Sequence, residues 1–249
     1  MNETIKQLST RKSIRQFTGE SLKDEDLDTI LRTAQRCPTS INGQQISLVY
    51  TKDKEIIKKI AKVCAGQLQV ETADVFVTIV VDFNRTTFAV EQAGEKHQID
   101  KSAEGVLVGA VDAGIMLNAI QVAAESLGYG TTAIGAVRNE PDTMIELLGL
   151  PPKTFPIVGT TIGIATQEAK DAPLKPRVPI ESFAFENKYS DTEVKDGVLK
   201  YEKQMKEYRE ENNMDYLQSY CEQTAFYYKN IYFRKVAENY KKQGFEFKD

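Results

Sequence analysis

Arg11-Lys12-Ser13-Ile14-Arg15 places three cationic side chains and a hydroxyl within five consecutive residues. Cationic heads this close repel one another unless an anion lies between them, so the stretch reads as an anion cradle. An exposed basic turn is the alternative reading of the same five residues. A cradle needs further walls, and whether distant parts of the chain supply them decides what the fold must bring together.

Working outward, 249 residues suffice for one large or two modest domains with a real core. Hydrophobic content of 41% and charged content of 27% are ordinary for a soluble globular protein. The net charge of −4 and pI of 5.4 argue against a general nucleic-acid binder. Any basic site is therefore local, which suits a small anionic ligand. Cys37, Cys64 and Cys221 are odd in number and show no metal-ligand spacing. With no signal peptide at Met1-Asn2-Glu3-Thr4-Ile5-Lys6, they read as reduced thiols in a cytoplasmic protein. The β-like apolar run Val75–Val81 is too short to cross a membrane. His97, the single histidine, stands among Glu95, Lys96 and Gln98 and reads as a surface-loop residue, which argues against a histidine triad or zinc site.

Apolar spacing supplies the elements. Ser21 reads as an N-cap before Asp24, Glu25 and Asp26, with Leu27, Ile30, Leu31 and Ala34 on one helical face. Ile46–Thr51 reads as a strand. Ile56, Ile57, Ile60 and Val63 mark a second helix, closed by Gly66. Val75–Asp82 is nearly continuous in β-branched residues, as in a central strand buried on both faces. From about Lys101 to Leu127 runs the longest helical pattern, with small residues scattered through its apolar stripe. It is either the middle of the core or a dimer seam. Gly128-Tyr129-Gly130-Thr131-Thr132-Ala133 fits GxGxx(G/A), but helix precedes it and strand follows, the reverse of a dinucleotide fingerprint. The glycines read as a helix stop. Asn139 opens a short helix, and Phe155–Ala165 is a strand whose Gly159 and Gly163 mark close approach of another backbone or a ligand. In the extended segment Leu174-Lys175-Pro176-Arg177-Val178-Pro179, Lys175 and Arg177 point to the same side and can grip one anion.

Composition shifts after Ile180. All eight prolines and thirteen of fifteen glycines precede it, while nine of eleven tyrosines follow. The tail reads as polar helices too poor in aliphatic residues for a separate core. We therefore expect one domain over 1–249, with 185–249 a Tyr/Lys/Glu-rich extension packing on the body or on a partner subunit. There is no Walker A loop, nucleophile elbow, HExxH motif or acid–base pair. Such a chain does chemistry most readily by holding an anionic cofactor that performs the reaction itself.

Arg11-Lys12-Ser13-Ile14-Arg15-Gln16-Phe17 resembles the (H/R)RS(I/V)R-x-F opening of the nitroreductase family. The similarity is to the branch of group A oxygen-insensitive nitroreductases and NADPH-flavin oxidoreductases. Further blocks follow in order: Gly66-Gln67, Asp82-Phe83-Asn84-Arg85, Val111-Asp112-Ala113 and Ala124-Glu125-Ser126-Leu127-Gly128. Ile134-Gly135, Val137-Arg138-Asn139 and Leu174–Pro179 complete the set.

The resemblance implies an α+β fold, with a central, mainly antiparallel sheet flanked by helices. It also implies a long central helix at a homodimer interface and a helical C-terminal extension. FMN is the implied cofactor, with Arg11, Lys12, Ser13 and Arg15 on its phosphate, ribityl chain and pyrimidine edge. Lys175 and Arg177 close the phosphate site, and Gln67 bonds the isoalloxazine. Ser40 reaches the flavin from the partner subunit, and Ile134-Gly135 presents backbone N–H groups to the ring. The implied activity is ping-pong hydride transfer from NADPH or NADH to FMN, then to a nitroaromatic, quinone or flavin. Arg15 or Lys12 is the candidate to stabilise charge on the reduced flavin. No metal, nucleic acid or membrane is implied. The branch also carries a TRG-x-N-x-R/K-x-x-TW segment for the NADPH 2′-phosphate. Here that region reads Tyr208-Arg209-Glu210-Glu211-Asn212-Asn213-Met214-Asp215-Tyr216, where acids flank a lone cation and repel a phosphate. NADH is thus a live donor, and a flavin carrier or redox sensor with little nicotinamide turnover is the alternative function.

Overall fold

A computed structural model describes residues 1–248, which fall into two units: Met1–Asp171 with the stretch from Phe233 onward, and Ala172–Tyr232. In chain order the first unit holds α1 (Glu3–Thr10), α2 (Asp24–Ala34), β1 (Ile46–Thr51), α3 (Lys54–Val63) and α4 (Leu68–Glu71). It continues with β2 (Val75–Asp82), α5 (Asn84–Gln92), α6 (Ala103–Ser126), β3 (Gly130–Ile134), α7 (Pro141–Leu148), β4 (Thr154–Gly163) and α8 (Gln167–Asp171). The second unit holds α9 (Asp191–Glu211) and α10 (Tyr220–Tyr228), and α11 (Val236–Lys242) returns to the first.

Four strands pair antiparallel in the order β1-β2-β4-β3. This is the α+β class, with the antiparallel sheet at the centre. β2 is buried from Val75 to Val81, as its unbroken apolar run requires of a strand covered on both faces. α6 packs one stripe, including Gly109, Ala113, Met116, Ile120 and Ala124, into the body against the sheet and α2. It has the length and apolarity of a membrane span, and its opposite face leaves Leu107, Val111 and Ile115 exposed. Gly159 and Gly163 are closely approached by aromatic side chains, where the sequence predicts another backbone or a ligand. An added Cβ would lie 2.4 Å from Phe76 Cζ and 2.6 Å from Phe17 Cδ1, respectively.

Three local expectations need correction. α2 is capped at Lys23, not Ser21. Leu22 is drawn into the core and its N–H donates to Asp74 Oδ2 at 2.8 Å, so the helix starts beyond it. α7 opens at Pro141, whose missing N–H is harmless at the first helical position. Asn139 instead donates through Nδ2 to Val63 O at 3.1 Å.

The third correction is His97, whose side chain is 4% exposed. It lies on a loop, but its Nδ1 is 3.2 Å from Asp100 Oδ1 and its Nε2 is 3.0 Å from Thr86 Oγ1. Lys153 Nζ reaches Asp100 Oδ2 at 3.1 Å. The end of the chain closes over this cluster: Glu246 N–H donates to Asp100 O, and Phe245 buries its ring between Phe83 and Tyr240. Charged neighbours in the sequence hide a histidine that the folding of its own loop buries against Thr86 and Asp100.

Within the second unit, Ser190 caps α9, and Ser219 with Glu222 forms a reciprocal capping box on α10. Tyr201 and Tyr220 meet edge to face at 5.0 Å.

Candidate flavin site

The basic segment is an added edge on the sheet. Ile14 N–H donates to Thr131 O at 2.8 Å, and the Thr132 hydroxyl donates to Ile14 O. Phe17 bridges Ala165, and Thr18 N–H donates to Ile164 O at 2.8 Å. Side chains alternate in such an extended chain. Ile14 points into the body while Ser13 and Arg15 are exposed.

Two of the three cations find partners of their own. Arg11 pairs with Glu125 Oε1 at 3.1 Å, and the Thr131 hydroxyl donates to the same oxygen at 2.7 Å. Lys12 donates to Lys170 O at 2.5 Å. Nothing in the spacing of residues 11 and 125 announces that pair; both stood in the quoted blocks without a stated link. Together, the guanidiniums, the ammonium and Ser13 form an edge rich in donors, and Glu125 beside it is engaged by Arg11 and Thr131. That chemistry suits a phosphate or a carbonyl-bearing ring edge.

A second group gathers where α3 and β3 end. α3 closes through Ala65 and Gly66, both with positive φ, which turns the chain so that Gln67 stands at the N-cap of α4. Its side-chain oxygen accepts from Gln69 Nε2 at 2.9 Å. Ile134 and Gly135 end β3 and open a 3₁₀ turn, Gly135–Arg138. Cys64, Val70, Ile134 and Ala136 share one apolar cluster, so Gln67 and Ile134-Gly135 border a common core. Arg138, not singled out as a site residue, donates to Ile157 O and lies 5.2 Å over the Phe233 ring.

Ser40 opens a 3₁₀ turn in the loop between α2 and β1. Its N–H donates to the carboxylate of Asp112 on α6, at 3.3 and 3.2 Å to the two oxygens. Gln45 Nε2 donates to Asp112 Oδ2 at 2.5 Å. Ile41, Asn42 and Gln44 all have positive φ, and Ile41 is 96% exposed. Asp112 lies 67 to 72 residues from these loop partners, so only the fold brings them together.

Lys175 and Arg177 belong to the second unit, where both are exposed on an extended segment and Pro176 between them is half-buried. Tyr201 donates to Pro176 O at 3.2 Å, which fixes that segment against α9. Arg209, the lone cation of its region, is 8% exposed and donates to Gln218 O at 2.9 Å. Its guanidinium serves the fold of the second unit.

Comparison with known proteins adds the following. The Nitroreductase family matches residues 8–164, and the Nitroreductase family, C-terminal domain, matches residues 175–248. A Bacillus subtilis (strain 168) protein named FMN reductase [NAD(P)H] is 42% identical over 250 residues, covering 99% of each chain. The solved structure of B. megaterium NfrA2 superposes with a TM-score of 0.95 at 37% identity, covering 100% of both chains. The NADPH:FMN oxidoreductase from Vibrio harveyi, solved with NAD+, has a TM-score of 0.86 at 28% identity, covering 98% of both.

Proposed function

The chain belongs to the nitroreductase family, and on that premise we propose that it is an FMN-dependent NAD(P)H oxidoreductase of the flavin reductase and nitroreductase type. The observation that carries the reading is the donor-rich edge at Arg11–Arg15, held in register on β3 within the family match. Bound FMN supplies hydride chemistry that no side chain of this protein can perform. The chain's own task is to hold and orient it. Arg11, Lys12, Ser13 and Arg15 take the phosphate, ribityl chain and pyrimidine edge, Lys175 and Arg177 the phosphate. Gln67 and the N–H groups of Ile134-Gly135 face the ring, and Ser40 contacts it from a second copy. Arg15, an exposed guanidinium, is the candidate to favour negative charge on the ring.

The second copy is part of the proposal. Leu107, Val111 and Ile115 form an exposed apolar stripe at helical spacing on α6, with Gly114 beside it, and a self-complementary dimer buries such a stripe. We assign the stretch 185–249 as an extension of one domain, packing on the body or on that second copy. Three unpaired cysteines accord with a cytoplasmic setting.

Both nicotinamides are proposed as donors. Arg209 is buried and bonded within its own unit, with Glu210 and Glu211 adjoining it, so it offers the 2′-phosphate of NADPH little. The acceptor is a nitroaromatic, a quinone or a flavin.

Anaerobic mixing of the purified protein with NADH and with NADPH tests the reading. A yellow protein bleached by both at comparable rates is expected. Flavin reduced by dithionite and by neither nicotinamide favours a carrier or sensor, and a colourless protein that takes up no FMN overturns the proposal. Arg15→Ala or Lys175→Ala removes one charge-assisted bond, about 1.5–3 kcal/mol or roughly 10- to 150-fold in FMN affinity. Flavin retention after dialysis reads that loss.

A further inference from the structure

We infer that Asp112 is a positioning residue for flavin binding, a buried carboxylate that clamps both ends of the Ser40–Gln45 loop and so fixes Ser40. The inference rests on the FMN reading above. Asp112 lies on the face of α6 that packs into the body, beside Gly109, Ala113 and Met116, and is 3% exposed. A carboxylate in such a place is retained only against a strong desolvation penalty. It accepts from the Ser40 N–H and the Gln45 amide, both neutral, at the two ends of one loop.

What lies between those ends is strained. Ile41 at φ 49°, Asn42 at φ 57° and Gln44 at φ 53° occupy the left-handed region, where a β-branched isoleucine is a true outlier. Ile41 is almost fully exposed, so no apolar burial within the chain offsets that strain. The Thr39 hydroxyl accepts from Gln44 N–H at 3.0 Å, and Arg85 donates to Gln44 O. Backbone held this way persists only where its surroundings over-determine it, and such places cluster at ligand sites. Asp112 is the buried member of the set that binds both ends. It acts through Ser40 and touches no flavin itself.

The test compares wild type with Asp112→Ala, Asp112→Asn, Ser40→Ala and the Asp112→Asn/Ser40→Ala double variant. FMN Kd is measured by flavin fluorescence on flavin-stripped protein, and melting temperature is measured alongside. The asparagine keeps one acceptor oxygen and the side-chain shape, so it remains informative where the alanine fails to fold. Asp112→Asn is expected to raise the FMN Kd about tenfold, the scale of one lost charge-assisted hydrogen bond, and Asp112→Ala more. In the double variant the losses are expected to be strongly non-additive, because both changes remove the same Ser40 contact. The visible circular dichroism of bound flavin should change in both Asp112 variants. An FMN Kd within twofold of wild type despite a lower melting temperature, or additive losses, would reduce Asp112 to a merely structural residue and overturn the inference alone. A wild-type chain that takes up no FMN overturns the function proposed above and this inference with it.

Discussion

Two buried aspartates lie twelve residues apart in the chain, and they are held in opposite ways. Asp100, 1% exposed, has the Lys153 ammonium at 3.1 Å and the His97 ring at 3.2 Å. Asp112, 3% exposed, has a backbone N–H and a side-chain amide. Asp100 is a joint: its own carbonyl receives Glu246 N–H, and Lys153 N–H donates to Gln243 O, so the cluster anchors the returning chain end. Asp112 holds a strained loop and forgoes a cation. A compensated charge secures the body, whereas an uncompensated one trades stability for the shape of a loop.

The largest effect should come from breaking the joint. Asp100→Ala removes the buried carboxylate that both the His97 ring and the partly exposed Lys153 ammonium contact, and breaking a buried pair on one side typically loses up to about 3–5 kcal/mol. Urea unfolding should show that loss; a change below about 1 kcal/mol would mean the cluster is solvated and the comparison is wrong. The next effect is in pH dependence. Burial pushes the Asp112 carboxyl up, and the Ser40 N–H draws it part of the way back. The folded state therefore holds this proton more tightly than the unfolded chain does. Its contribution to stability falls as pH rises from the ordinary aspartate range through the raised value, then levels off. Asp112→Asn has no such titration. Melting curves across that window should show the wild type losing stability relative to the variant as pH rises, and parallel profiles would contradict the contrast.

A third buried group marks the neutral limit of the comparison. Cys64 has no charge to compensate, and burial pushes its thiol up to about 12. Near neutral pH it should resist a maleimide while exposed Cys221 reacts, and it should become reactive only in denaturant. Mass mapping of an adduct on Cys64 in the native protein would show that this part of the core opens.

Legibility in the sequence followed the range of the interactions. β2 was readable because a strand covered on both faces writes its burial as an unbroken apolar run, and α6 because its stripe persists over 24 residues. The anion-binding character of Arg11–Arg15 was readable because like charges crowd within five residues. Their present partners were not: Glu125 is 114 positions from Arg11, and only the sheet edge brings them together. The sequence hides the burial of His97 because its immediate neighbours are polar, while its partners Phe83, Thr86 and Asp100 stand three to fourteen residues away and meet it only once the loop folds. The turn at Ile41 was hidden for a different reason. A β-branched residue argues locally against positive φ, and the contacts that hold the loop, from Asp112, Thr39 and Arg85, are largely tertiary.

The return of the chain from Phe233 to the first unit carries a consequence for how the protein is made. Phe245, which fills the space between Phe83 and Tyr240, is translated after the whole of the second unit. During synthesis the sheet and α6 can assemble while the bed of Phe83 and the Asp100–Lys153 cluster still lack their cover. The nascent body thus waits, partly open, for more than sixty residues of Ala172–Tyr232 to emerge. A ribosome stalled in α9 should therefore display a body more sensitive to protease around His97 than the released chain.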